Sequence, residues 1–161
     1  MKKITLFLFL WLSMIWNMDA QDRPKIAATA SMIWDMAKQI AGEHAEINCI
    51  VPIGGDPHIY EPTPNDARMV AQADLILKNG LTFEGWLDEL IDNSGTKAEI
   101  VTVTKDIPAI KSQEYHNAAD PHAWMNVRFG LIYIKNIRDA LIQLMPEHEA
   151  DFDRNYLLYK K

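Results

Sequence analysis

Four short runs of aliphatic and β-branched residues, at 25–29, 46–51, 74–78 and 99–104, alternate along the chain with segments whose apolar residues recur every three or four positions. Short apolar runs bounded by polar turns predict strands, and the longer recurrence predicts amphipathic helices. Strands that alternate with helices predict parallel βαβ units, in which both faces of the sheet are covered. The expected fold is therefore α/β: a three-layer lobe with a four-stranded, mainly parallel sheet and helices on both faces.

Each helix carries its own boundary signal. Ile33, Trp34, Ala37, Ile40 and Ala41 share one face, and Gly42 supplies a stop. Thr63 is placed to cap the next helix, with Pro64 at the first helical position, where its missing N–H costs nothing; Met69, Val70 and Ala73 then face inward. Phe83, Trp86, Leu87, Leu90 and Ile91 form the clearest stripe, closed by Gly95, and tryptophans at this spacing are expected in the core rather than on a ligand platform. A connection without periodicity covers 107–119. From Asn126 onward Val127, Leu131, Ile134, Ile137, Leu141 and Leu144 step by three and four, predicting a long helix that stops at Pro146. Pro146-Glu147-His148 then reads as a new helix start, and the helix carrying Phe152, Tyr156, Leu157 and Tyr159 is still running at Lys161.

Residues 1–20 have a different character. Lys2 and Lys3 precede a mostly apolar run from Ile4 to Trp16 and a more polar stretch ending at Asp19-Ala20, the layout of a secretory signal peptide. The run is short of the roughly 20 apolar residues a membrane-spanning helix needs. Removing this segment takes two of the 16 basic and one of the 22 acidic residues, leaving a net charge of −7. A chain this acidic, with scattered basic residues, is not expected to bind nucleic acid. Cys49 is the only cysteine and cannot form an intramolecular disulfide; inside the apolar run 47–51 it is expected to be a small buried residue.

The chemistry is concentrated in two histidine motifs, Gly55-Asp56-Pro57-His58 and Ala119-Asp120-Pro121-His122. Proline fixes its own φ and pushes the preceding residue towards extended geometry, so each Asp-Pro presents an imidazole at a stiff point on a loop. Both motifs follow strands, and in a parallel sheet the carboxyl ends of the strands form the binding edge. Neutral imidazole is a good ligand for zinc, manganese or iron, so His58 and His122 are the candidate metal ligands. Asp56 and Asp120 fit equally well as acceptors that orient the rings and as turn-forming residues. Glu61 stands three positions after His58, but Pro62 and Pro64 argue against a helical chelate, so it is not expected to ligate. His44, His116 and His148, taken singly, read as solvated or hydrogen-bonded side chains.

The longer first motif, from Pro52 through His58-Ile59-Tyr60-Glu61-Pro62-Thr63 to Pro64, and the second motif with its continuation Ala123-Trp124-Met125-Asn126 carry a resemblance. From about Lys25 to its end the chain resembles the periplasmic or surface metal-binding receptors that serve zinc and manganese ABC transporters. Members of that family are about twice this length. The resemblance implies that 21–145 is an N-terminal metal-binding lobe and that 146–161 starts the long backbone helix leading to a second lobe. It also implies two further ligands from that second lobe, a glutamate or histidine and an aspartate. The cargo it implies is a divalent transition metal, Mn2+ or Zn2+ with Fe2+ as a third option. Many zinc-dedicated relatives carry a long histidine-rich acidic insertion before the second motif; here His116 stands alone, which tilts the expectation towards manganese. The expected partner is a membrane permease, with no nucleic acid, no small organic substrate and a monomeric chain. Many Gram-positive relatives are tethered by a lipidated cysteine at the cleavage site; with none there, the chain is expected to be periplasmic and soluble after export.

Two other classes compete. A metal-dependent hydrolase could use His58, His122, Asp56, Asp120 and Glu61 around an open coordination position. The chain lacks a Ser-His pair, histidines at helical spacing and a glycine-rich phosphate loop, so no enzymatic activity is expected. Some relatives are described as adhesins, and the resemblance brings in a surface adhesion module as the third reading.

Overall fold

The four apolar runs form β1 (Lys25–Ala28), β2 (Glu46–Cys49), β3 (Leu75–Lys78) and β4 (Glu99–Thr102), all parallel and ordered β2-β1-β3-β4. The computed structural model describes residues 23–108, 110–112 and 119–161. The expected signal sequence at 1–20 and His116 lie outside the described residues.

The two central strands are apolar without interruption. Ile26, Ala27, Ala28, Leu75, Ile76 and Leu77 are each no more than 1% exposed, as strands covered on both faces require. Alternate residues nonetheless enter different cores. Ile26, Ala28, Leu75 and Leu77 pack with Ile33, Ala37 and Ile40 of α1 (Ser31–Ala41), Tyr133, Ile137 and Leu141 of α4 (Val127–Leu144), and Phe152 of α5 (Glu149–Tyr159). Ala27 and Ile76 pack on the opposite face with Val70 of α2 (Pro64–Ala71) and Leu87 and Leu90 of α3 (Leu87–Ser94). The strand order explains this division. The crossover from β1 to β2 runs one way along the sheet, whereas those from β2 to β3 and from β3 to β4 run the other way. Right-handed connections therefore put α1 on one face and α2 and α3 on the other. Because β1 and β3 are neighbours whose chains leave in opposite directions, a crevice opens at their carboxyl ends.

The predicted helix ends hold at two places. Gly42 closes α1 at φ 59°, returning its N–H to the Lys38 carbonyl at 3.0 Å. Thr63 opens α2 in a capping box with Asp66, and Pro64 takes the first helical position. The Asp66 Oδ2 atom also accepts from the Tyr60 hydroxyl at 2.8 Å. Burial, and then this bond to a carboxylate, push the Tyr60 hydroxyl up to about 12.

Elsewhere the structure corrects the pattern. The stripe beginning at Phe83 is not one helix: α3 starts at Leu87, and Phe83 and Trp86 belong to the loop after β3. Gly80, Leu81 and Thr82 there all have positive φ, at 77°, 53° and 64°, a run no helix can contain. Val127, expected to face inward, is 80% exposed, because it stands in the first turn of α4 before the helix reaches the sheet. On α5 only Phe152 is buried; Leu157 faces outward.

Cys49 is half-buried rather than buried, because β2 is an edge strand. Its thiol donates to the Val51 carbonyl at 3.0 Å, and burial raises its pKa from 9.0 to about 11. A thiol so much weaker as an acid holds about 100-fold less thiolate at any pH below both values. Iodoacetamide at about pH 8 is therefore expected to alkylate the folded protein about 100-fold more slowly than the urea-unfolded chain. A rate within a few-fold of the unfolded one would show that β2 opens readily at Cys49.

Candidate metal centre

Both histidine motifs arrive at the carboxyl edge of the sheet. After β2 the chain makes a tight turn, with Gly55 N–H donating to the Pro52 carbonyl at 2.8 Å and Gly54 at φ 88°, the third position of a type II turn. A side chain at Gly55 would stand 2.9 Å from the Val51 methyl, so the turn can lie flat against the strand end only with glycine there. Asp56 then accepts the His58 backbone N–H at 2.9 Å, closing an Asx turn. The Trp86 indole donates to the Pro57 carbonyl at 2.7 Å, which ties the first motif to the loop after β3.

The second motif is delivered by a short antiparallel contact. Lys111 bridges Ala119, and Asp120 N–H donates to the Ile110 carbonyl at 2.7 Å. Asp120 repeats the Asx turn, accepting the His122 backbone N–H at 2.9 Å, and the same oxygen stands 2.8 Å from His122 Nδ1. These bonds, the backbone one first, hold the Asp120 carboxyl below its ordinary range. An ionised acceptor on Nδ1 fixes the tautomer whose proton sits there and leaves the Nε2 lone pair free. Of the two roles open to the aspartates, Asp56 performs the turn and Asp120 performs both.

The outcome is a pair of imidazoles aimed at one another, with His58 Nε2 and His122 Nε2 3.3 Å apart. Nitrogens held tetrahedrally at about 2.0–2.1 Å from one ion stand about 3.3 Å apart, so the spacing fits two neighbouring positions in a single coordination sphere. Both rings are exposed, open on the side away from the sheet. Glu61 is exposed in the non-helical stretch before α2, as its flanking prolines require. Gly54-Gly55 serves the turn and cradles no phosphate.

The loop after β3 supports the pair from below, and this the sequence pattern did not reveal. The Phe83 ring stands edge-on to His58 at 4.7 Å and to Trp124 at 5.0 Å, and Trp124 lies 5.3 Å from His122. Under these rings runs a buried polar network. Glu84 accepts from the Thr29 hydroxyl at 2.6 Å, Asn79 N–H at 2.6 Å and Gly80 N–H at 3.0 Å. Asn79 accepts from the Tyr133 hydroxyl at 2.5 Å and donates to the Pro121 carbonyl at 3.1 Å, next to His122. Its own carbonyl takes the Thr104 hydroxyl. The ends of β1, β3 and β4, helix α4 and the second motif are thus bound together through two residues, Glu84 and Asn79. Burial pushes the Glu84 carboxyl up against three donors that pull it down. The available signal was an acid inside an apolar stripe, four residues after the Gly of an Asn-Gly at a strand end.

The chain has known relatives. Residues 26–161 match the family model described as zinc-uptake complex component A, periplasmic. The chain is 37% identical over 143 residues to the metal ABC transporter substrate-binding lipoprotein SsaB of Streptococcus sanguinis, covering 84% of this chain and 46% of that protein. It is 33% identical over 177 residues to the manganese ABC transporter substrate-binding lipoprotein PsaA of Streptococcus pneumoniae, covering 99% and 57%. The manganese-bound periplasmic metal-binding protein of Candidatus Liberibacter asiaticus superposes with a TM-score of 0.81 at 34% identity, over 86% of this chain and 52% of that one. The chain therefore spans about half the length of the relatives it matches. Two of them are named lipoproteins, so they support export and lend nothing to the expectation of an unlipidated soluble protein. With its parallel α/β lobe and two histidine motifs, the chain belongs to the zinc-uptake component A family of exported metal-binding receptors for ABC transporters.

Proposed function

We propose that His58 and His122 are two ligands of a divalent transition metal, and that the chain is the N-terminal lobe, residues 21–145, of a receptor that captures manganese or zinc. In this reading 146–161 begin the helix to a second lobe, which supplies the remaining ligands, and the loaded receptor delivers its ion to a membrane permease. The observation that carries it is the 3.3 Å approach of the two Nε2 atoms, with Asp120 fixing one tautomer. The manganese named for the pneumococcal relative and present in the Liberibacter neighbour supports that ion as cargo. The reading is of a carrier and not an enzyme: Asp56 and Asp120 are already engaged by histidine N–H groups, so neither is placed as a base over the metal.

Paramagnetic Mn2+ tests the site directly. Substoichiometric manganese is expected to broaden the ring signals of His58 and His122 first, then those of Phe83 and Trp124, while Phe152 stays sharp. Broadening that spares both histidines would overturn the assignment. Removing the acceptor that orients His122 has a smaller effect than removing a ligand. Asp120→Ala is expected to weaken metal binding by about 10–100-fold with little loss of stability, checked by calorimetric titration. An affinity unchanged by Asp120→Ala would mean that the carboxylate only shapes the turn.

A further inference from the structure

A second group of metal-type donors lies at the opposite edge of the sheet. His44 stands between α1 and β2, at the amino ends of the strands; His148 ends the single 3-10 turn at Pro146–His148, and Asp151 is in the first turn of α5. Helix α4, 18 residues and so about 27 Å long, runs from the His122 edge to this one. One nitrogen from each ring and one Asp151 oxygen lie within 4.8 Å of one another. Among the described residues no other three histidine, cysteine or acidic side chains come together in this way.

The surroundings hold these groups in place. The His44 and His148 rings stack with centroids 3.9 Å apart and planes 25° from parallel. Phe152, fully buried, stands edge-on to both, at 5.7 and 6.1 Å. Asp151 Oδ2 meets His44 Nε2 at 3.1 Å, while Arg154 occupies its other oxygen at 2.6 Å. Glu147 Oε1 lies 3.9 Å from His148 Nε2, adding negative charge. All three donors are half-buried, which limits screening without closing off access.

Two imidazoles and one carboxylate, with room for water at the remaining positions, hold zinc, cobalt, nickel or copper more tightly than manganese, which stands lowest in the affinity order of the divalent series and here lacks a second carboxylate. In a loaded site the ion would replace the His44–Asp151 hydrogen bond, and the stacked rings would part to aim a nitrogen each at it. We propose that His44, His148 and Asp151 form a second, independent site for an imidazole-preferring divalent ion, clamping the end of α1 to the start of α5. It does not depend on the role given to His58 and His122.

The test uses protein carrying His58→Ala and His122→Ala, so that the first pair is silent. Titrated with zinc, it is expected to bind one ion per chain and to melt at a higher temperature, whereas manganese at equal concentration leaves the melting temperature unchanged. Adding His148→Ala is expected to weaken zinc binding by about tenfold or more, with circular dichroism confirming the fold. Asp151→Asn, which keeps the side-chain size, is expected to weaken it as well. No saturable zinc in the double variant, or zinc binding that neither substitution weakens, would overturn the site. Equal stabilisation by manganese would overturn its ion preference.

Discussion

His122→Ala is expected to lower metal affinity more than about 100-fold, beyond the effect of losing an outer-shell partner, while the protein stays folded. His122 is exposed, its ring standing against those of His58, Phe83 and Trp124 and bonded to Asp120, so its removal opens no core cavity. His58→Ala is expected to behave in the same way. The double variant tells more than either single one. If the two nitrogens share one ion, losing the first already abolishes the chelate, and the second substitution adds little. Independent losses that multiply would mean two separate ions, and single losses below about threefold would place the metal elsewhere. Titration calorimetry with manganese, which the group at His44, His148 and Asp151 is not expected to hold, measures all three variants.

The second large effect is on stability. Glu84→Ala leaves the Thr29 hydroxyl and the N–H groups of Asn79 and Gly80 without their acceptor, in a place where Thr29 and Asn79 are fully buried. Each of the three stranded donors costs about 1–3 kcal/mol, so a total loss of at least about 3 kcal/mol is expected from urea unfolding. Glu84→Gln keeps the volume and one accepting oxygen, but turns an amide N–H2 towards a backbone donor, and is expected to fall between wild type and alanine. A loss from Glu84→Ala below about 1 kcal/mol would show that water replaces the carboxylate. The same variant is expected to weaken metal binding, because Asn79, held by Glu84 through its backbone, in turn holds Pro121 beside His122.

The sheet was legible because the covered middle of a central strand must be apolar, and 26–28 and 75–77 meet that demand. The helices followed from three- and four-residue steps with their caps, Gly42 and Thr63-Pro64 above all. The histidine pair was legible because a repeated Asp-Pro-His is a local signal. Periodicity failed where the backbone turns left-handed. Phe83 and Trp86 have helical spacing relative to Leu87 and Leu90, but the chain leaves its left-handed residues Leu81 and Thr82 through a bend and a turn and becomes helical only at Leu87, and nothing in the side chains announces it. Glu84 was passed over because an acid beside an apolar stripe normally marks the solvent face; here it is the acceptor that joins the ends of β1 and β3. Cys49 was misplaced for a topological reason. Its run is as apolar as its neighbours, and only the order β2-β1-β3-β4 puts it at an edge.

The two imidazoles that meet at 3.3 Å are 64 positions apart, and they meet only when β1, β2, β3 and the support beneath them have all formed. An ion between them therefore recognises the folded chain and ignores the unfolded one, acting as a reversible staple across the loop that joins them. By mass action, free metal at a hundred times its dissociation constant adds about 2.7 kcal/mol to the folding equilibrium. Under the proposed function, cargo and scaffold are thermodynamically linked: the metal supply sets the fraction of chains open to proteases, and a starved protein is expected to be a shorter-lived one.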